Sequence, residues 1–380
     1  MARGRAAWKQ HLDVKPVLGR WFRSLERQQP ALTRALRYYS LAGTVPDDAC
    51  FDHFSRSLKL DQGEYAAAYQ ALQIDNVDGF YPETPFHDVR FDAALLDGHF
   101  VCGHVMMPVS RSTGRTATRD GLDLPWGITY PSPSFKPERH IAGVALAVPR
   151  ITNYYHLLID AVLPAMAAVI RNPEQFPHGL TLLVNRDYQA VEFMAAILND
   201  LGVETRLEKV GLDETVSADR FLWARSWSHS TGHSFAFGPE LDLIGPLIDK
   251  RISHIPTKPR VVIPRSKTRL RNLVNQSEML FELSRLNFET LELKWSNLLE
   301  QIAIFRRAET VVSVHGAALA NLVWGKGGRV VEIFPTNARN TTFLHIASQN
   351  EWHYDCVFGN RERERQNFDL DVKDLLAVLA

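Results

Sequence analysis

The stretch "TVVSVHGAALANLVWGKGGRVVEIFP", residues 310–335, decides the fold. A valine-rich run ends at His315, Gly316 interrupts it, a small-residue segment suited to a short helix follows, and a second apolar run ends at Pro335. Each run reads as a short apolar strand, and apolar strands of this length alternating with helices are the signature of a parallel sheet. Parallel neighbours need a crossover, and the segment between supplies one. Upstream, "PELDLIGPLIDKRI" (239–252) reads as a helix, "RVVIPRS" (260–266) as a strand and "QSEMLFELSRL" (276–286) as a helix. The strand "FETLEL" (288–293) and the helix "SNLLEQIAIFRRA" (296–308) follow, and beyond the quoted stretch come the helix "NTTFLHIASQN" (340–350) and the strand "WHYDCVFG" (352–359).

The first half repeats the alternation: strand "IAGVALAVPR" (141–150), helix "NYYHLLIDAVLP" (153–164), strand "GLTLLVN" (179–185) and helix "AVEFMAAILNDLG" (190–202), closed by Gly202. Two strand-like runs, 203–210 and 219–227, complete it. Two such alternations predict two Rossmann-like, doubly wound α/β domains. Small and polar residues in "SHSTGHSFAFG" (228–238) mark the junction. Up to about Leu72 the pattern is helical, residues 75–120 read as short strand-like pieces and turns, and the Pro- and Ser-rich 123–140 as a long surface loop. The expected organisation is a helical N-terminal appendage over 1–74, one domain over 75–235 and another over 236–380. Pro164 should end or kink its helix, because it has no N–H to meet the carbonyl of Asp160.

A length of 380 residues exceeds what one core usually organises, and the apolar and charged fractions of 45% and 23% are those of an ordinary soluble protein. A formal net charge of zero gives wholesale nucleic-acid binding no support. Before Tyr39, however, Arg3, Arg5, Lys9, Lys15, Arg20, Arg23, Arg27, Arg34 and Arg37 face only Asp13 and Glu26. With Trp8, Trp21 and Phe22 among them, this basic arm reads either as a peripheral contact with an anionic membrane or as a solvated helical arm on the main body. Cys50, Cys102 and Cys356 are too few and scattered for a disulfide framework or a zinc cluster and suit a reducing compartment. No apolar signal region opens the chain, and the longest apolar run, 157–170, is short for a span and carries Asp160 and Pro164. The expected location is the cytoplasm, including the inner membrane face.

Four features sit where strands of an α/β sheet end, the usual place for ligands. Gly316 lets the backbone approach a ligand, and the N–H groups of the helix starting near Ala317 make an anion site, with His315 before it and Asn321 a turn on; a tight turn capped by His315 is the plainer alternative. The absence of GxGxxG argues against NAD or FAD. Arg265 follows a strand directly, with Lys267, Arg269 and Arg271 behind it, as expected for holding a diphosphate, or else as a solvated loop. Asn275 and Glu278 have capping-box spacing and read as structural. Glu332 ends an apolar strand and suits a ribose diol, or merely faces solvent. On a helix, Asn153, His156 and Asp160 share one side, so Asp160 would orient His156 as a general base; alternatively Asn153 caps the helix and the other two are satisfied structure.

"NYYHLLIDAVLP", "PRSKTRLRNLVNQSEM" and "VSVHGAALANLVWGKGGRVVEIFP" together resemble glycosyltransferase family 61, which includes bacterial capsule-type transferases, plant xylosyltransferases and animal O-linked N-acetylglucosaminyltransferases. The likeness covers residues 141–358, and its most specific part is HGAxLxN, here His315, Gly316, Ala317, Leu319 and Asn321. The resemblance implies GT-B architecture, two Rossmann-like domains facing across a cleft, with the donor nucleotide on the C-terminal domain, the acceptor on the N-terminal one, and inversion without a tightly bound metal. It implies that Arg265 and the helix at Ala317 hold the diphosphate, that His315, Gly316 and Asn321 contact the donor with Asn153 and Arg271 beside them, and that Glu332 takes the ribose. His156, oriented by Asp160, would deprotonate the acceptor. Animal members enter the secretory pathway, which this chain gives no sign of doing, and an Asp-x-Asp occurs only at Asp369 and Asp371, away from the motifs. The expected activity is transfer from a nucleotide sugar, a UDP-sugar first, to a glycan or glycolipid of a bacterial capsule or lipopolysaccharide, with no cofactor. Protein O-glycosylation, a non-catalytic nucleotide- or glycan-binding role and a dinucleotide oxidoreductase are the rivals.

Overall fold

The computed structural model describes residues 42–44, 50–59, 63–73, 86–103, 106–111, 116–118, 139–228, 238–265, 271–293, 298–335, 340–362 and 367–380. The basic arm, most of the 123–140 loop, residues 229–237 of the junction, and Lys267 and Arg269 lie outside these residues. The chain runs through β1 (Ala42–Thr44), β2 (Cys50–Lys59), α1 (Ala66–Gln73), β3 (Phe86–Asp97), β4 (His99–Cys102), β5 (Val109–Ser110), β6 (Thr116–Thr118) and β7 (Arg139–Ala147). Helix α2 opens as a π-helix (His156–Val162) and continues as an α-helix (Leu163–Arg171); β8 (Leu180–Val184), α3 (Gln189–Asp200), β9 (Thr205–Lys209) and β10 (Thr215–Ser228) follow. The second half comprises α4 (Gly238–Ile252), β11 (Arg260–Ile263), α5 (Gln276–Arg285), β12 (Glu289–Thr290), α6 (Leu298–Arg307) and β13 (Thr310–Val314). A 3₁₀-helix (Ala317–Trp324), β14 (Arg329–Phe334), α7 (Thr342–Gln349), β15 (His353–Phe358), β16 (Arg361–Glu362), β17 (Phe368–Asp369) and α8 (Val372–Leu379) complete it.

The second half is the parallel sheet that the quoted stretch predicts, with strand order β12-β11-β13-β14-β15 and every pair parallel. Its valine runs are buried on both faces, as in β13, where Val311, Val312 and Val314 are all in the core. The chain leaves β11 toward β12 and then returns past it to β13, so the loops after β11 and β13 diverge. Such a switch point opens a crevice at the carboxyl ends of the strands. Arg265 follows β11 and His315 follows β13.

The first half is also α/β, but its ten-stranded sheet is mixed rather than doubly wound and parallel throughout. β10, β7, β8 and β9 run parallel, whereas β3 and β4 pair antiparallel along the other edge of β10, and β2 pairs antiparallel with β3. Those strands come from the segments read as appendage and as short pieces. Cys50–Lys59 belongs to the sheet and not to a helical appendage. Phe51, Phe54 and Leu58 fall at helical spacing, so periodicity alone points the wrong way, and long-range pairing with β3 overrides it. Helix α1 does form as read, but it lies against β15, with Tyr65 Oη donating to the carbonyl of Trp352 at 3.0 Å.

Gly202 closes α3 as expected: its φ is +85° and Val203 N–H reaches back to the carbonyl of Leu198. Pro164 does not end α2, which continues to Arg171. The preceding turn is π-helical, with Leu163 N–H bonded to the carbonyl of Leu158, and this wider turn places Pro164 in the first turn of the α segment, where a missing N–H costs nothing. One continuous apolar core includes Leu157 and Leu182 of the first half and Ile302, Trp324 and Trp352 of the second, and Phe193 meets Trp324 edge-on at 5.4 Å. Helix α4 packs against α2, α3 and α6. Among the described residues no helix is long and apolar enough to cross a membrane.

Candidate active site

A cavity of about 710 Å³ lies where the start of α2 faces the crevice of the parallel sheet. Its wall from the first half is Asn153 to His156; its wall from the second includes Arg265, Arg271, Gln301, His315 to Ala318, Asn340 and Phe343. Of the residues singled out from sequence, Asn153, His156, Arg265, Arg271, His315, Gly316 and Ala317 are thus brought together.

His156 stands on the first turn of α2, half-buried, and its Nδ1 lies 2.7 Å from Asp160 Oδ2. The hydrogen bond to Asp160 raises the imidazole pKa above its usual value, against the opposing effect of burial. Asp160 is itself buried beneath the ring and does not line the cavity. The pair has the geometry of an oriented base: Nδ1 engaged by a carboxylate, the ring otherwise presented to the cavity. Asn153 keeps a capping role as well, accepting from Tyr155 N–H at 2.9 Å.

Across the cavity, Arg265 Nη1 donates to the carbonyl of His315 at 2.8 Å, which lays the guanidinium along Gly316. Burial, and then the nearby charge of Arg271, pull the Arg265 pKa down. Two guanidiniums in one wall repel each other, and an anion between them relieves the repulsion. Arg271 has φ +63°, the left-handed region, which turns the chain sharply into the wall. The 3₁₀-helix leaves the N–H groups of Ala317 and Ala318 without an intrahelical acceptor, while Leu319 N–H bonds the carbonyl of Gly316 at 3.0 Å. The buried C-terminal end of that helix is satisfied by Asn350, whose Nδ2 reaches the carbonyls of Leu322, Val323 and Gly325, and by the indole of Trp352.

Two residues expected to touch a donor do not face the cavity. Glu332 has 0% exposure and binds His315 Nδ1 and the Tyr354 hydroxyl from beneath the floor. In β14, every residue after Arg329 is buried, so a carboxylate at its centre must find partners inside the protein. Its effect is to fix the ring of His315, which also stacks on Phe334 at 5.0 Å. Asn340 Nδ2 lies 3.2 Å from His315 Nε2, and Thr342 N–H, bonded to Asn340 Oδ1, sets the orientation of that amide. Asn321 likewise has 0% exposure and is engaged entirely by protein groups. The capping box at Asn275 is also altered: its side chain pairs with the backbone of Leu370 in both directions and with Glu278 Oε2.

Tyr154, Gln301, Asn340, Phe343 and Tyr354 escaped the sequence reading. Phe343, in the second-half wall, touches both sides: its ring lies 5.7 Å from Tyr155 and 5.4 Å from His315, and Tyr155 meets His156 at 5.2 Å. Asparagine before a helix start and tyrosine in a strand are too common to signal a site; only their placement does. Among the described residues no three His, Cys, Asp or Glu side chains are placed to hold a metal ion, and Asp371 caps α8 through Lys373 N–H.

Residues 154–331 match the family model described as Glycosyltransferase 61. The chain carries a glycosyltransferase family 61 domain. The match begins at Tyr154, two residues before His156, and ends one residue before Glu332, so it includes His156, Arg265, Arg271 and His315 to Ala318 but not Asn153, Asn340 or Phe343. No curated protein matches the chain. For a glycosyltransferase the arrangement is chemically apt: a carboxylate-oriented imidazole on one wall, and paired guanidiniums with free backbone N–H groups on the other.

Proposed function

We propose that this glycosyltransferase is an inverting enzyme of GT-B architecture that moves a sugar from a nucleotide-diphosphate sugar to a hydroxyl of a glycan acceptor. The UDP-sugars are the first donors to test, and the acceptor is a bacterial capsule or lipopolysaccharide glycan. The observation that carries the proposal is that His156, held from beneath by Asp160, faces Arg265 and Arg271 across one cavity. In this reading the first half, residues 75–235, presents the acceptor and the second, 236–380, the donor.

His156 takes the proton of the acceptor hydroxyl, and the oxygen attacks the anomeric carbon as the bond to the diphosphate breaks. Asp160 stabilises the imidazolium that results. Arg265, Arg271 and the N–H groups of Ala317 and Ala318 neutralise the departing diphosphate, the charge that a divalent cation would otherwise meet. A single displacement with base and leaving group on opposite sides inverts the anomeric centre. We place the reaction in the cytoplasm, in keeping with the three scattered cysteines.

The test is a screen of nucleotide sugars for released nucleoside diphosphate, with and without EDTA. Turnover of one donor, unchanged by the chelator, is expected; a donor bound but never turned over would indicate a binding protein. UDP at about a hundred times its Kd should add about 2.7 kcal/mol of stability, read as a rise in Tm. No rise with UDP or any other nucleoside diphosphate would refute the donor site.

A further inference from the structure

The two walls of the cavity are joined by a buried polar chain to which the proposed chemistry assigns no part. Tyr154 lines the cavity two residues before His156, and its hydroxyl donates to Asn321 Oδ1 at 2.6 Å. Asn321 Nδ2 donates to Gln301 Oε1 at 3.0 Å and to the carbonyl of Ala318 at 3.0 Å. Gln301 and Ala318 line the cavity on the other wall, so the chain begins beside the base and ends beside the turn that carries Gly316 and Ala317. Burial raises the Tyr154 pKa, which keeps the phenol protonated and makes it the donor to Asn321.

A fully satisfied buried amide has one low-energy arrangement, and shifting either wall leaves a desolvated donor or acceptor behind. Phenylalanine and leucine would fill the same space without this constraint. We propose that Tyr154, Asn321 and Gln301 are positioning residues that set the separation of His156 from the diphosphate-binding turn; this rests on the base and donor assignments made above. Proton transfer needs the base within about 2.6–3.2 Å of its target, and a misplacement of about 1 Å can cost about a hundredfold in rate. The asparagine of HGAxLxN therefore acts on the sugar-transfer step without touching either substrate.

The experiment compares Tyr154→Phe with wild type in the full chain. It measures UDP affinity and binding stoichiometry by calorimetry, and turnover of the donor found in the screen. The expected result is a kcat at least about tenfold lower, with UDP Kd and donor KM changed less than about twofold. Gln301→Leu, which cuts the chain at its other end, should show the same split. In the double variant the loss should not exceed that of the slower single one, because the chain acts as a unit. Wild-type kcat in both variants would overturn the inference, as would kcat falling only in proportion to UDP-binding capacity, which marks a purely structural role. A wild-type protein that neither binds UDP nor turns over any donor refutes the active-site reading itself, a separate outcome.

Discussion

Gly316→Ala isolates the anion site from the rest of the fold. Gly316 has φ 173°, extended backbone that any residue adopts, so alanine meets no conformational penalty there. What a Cβ meets is Nη1 of Arg265, closer than real Cβ atoms come, so the guanidinium must retreat by more than about 1 Å to reach ordinary contact. The end of an arginine side chain can move, so folding should be nearly unaffected. The retreat breaks the 2.8 Å bond to the carbonyl of His315 that aims Arg265 at the cavity. A hydrogen bond to a charged group is worth about 1.5–3 kcal/mol, and one lost between Arg265 and a diphosphate weakens UDP binding about 10- to 150-fold. Calorimetry with UDP measures this directly, with the Tm of the unliganded protein as control. Gly316→Ala added to Arg265→Ala should weaken binding no further, since the alanine acts only through the arginine. Wild-type UDP affinity in Gly316→Ala, or an equal further loss in the Arg265→Ala background, would refute the reasoning.

His156→Ala should lower turnover about 10²- to 10⁴-fold while UDP affinity stays within about twofold; retained turnover would move the base elsewhere. Because the hydrogen bond to Asp160 raises the His156 pKa and a base works deprotonated, the acid limb of kcat/KM should lie above the ordinary imidazole value. Asp160→Asn should move that limb to lower pH, and a limb that stays put would dissociate it from His156. Glu332→Ala strips the buried acceptor from both His315 and Tyr354 and should destabilise by about 3–5 kcal/mol in urea titrations. Loss of UDP affinity with unchanged stability would instead return Glu332 to the ribose.

The valine runs of β11, β13 and β14 show why the parallel half was legible: strands buried on both faces need no partner-specific information, and their crossovers are local in sequence. The strand Cys50–Lys59 was not, because its helical spacing competes with a pairing to β3 that no local pattern encodes. The site divides in the same way. His156 and Asp160 lie four apart on one helix, so their contact follows from helical geometry, even though the first turn proved π-helical. Gly316 and Arg265 each follow a strand end that the alternation marks, but that β11 lies beside β13 is decided by the strand order of the folded sheet. Glu332 looked like a ligand residue because a carboxylate in an apolar strand is costly; what offsets that cost, a histidine 17 residues before it and a tyrosine 22 after, is visible only once β13, β14 and β15 are laid together. By itself the sequence determined the parallel sheet, the turn at Gly316 and the residue types of the site. Only the tertiary structure decided which of them face the cavity, because burial and long-range hydrogen bonding are properties of packed surfaces and not of spacing along the chain.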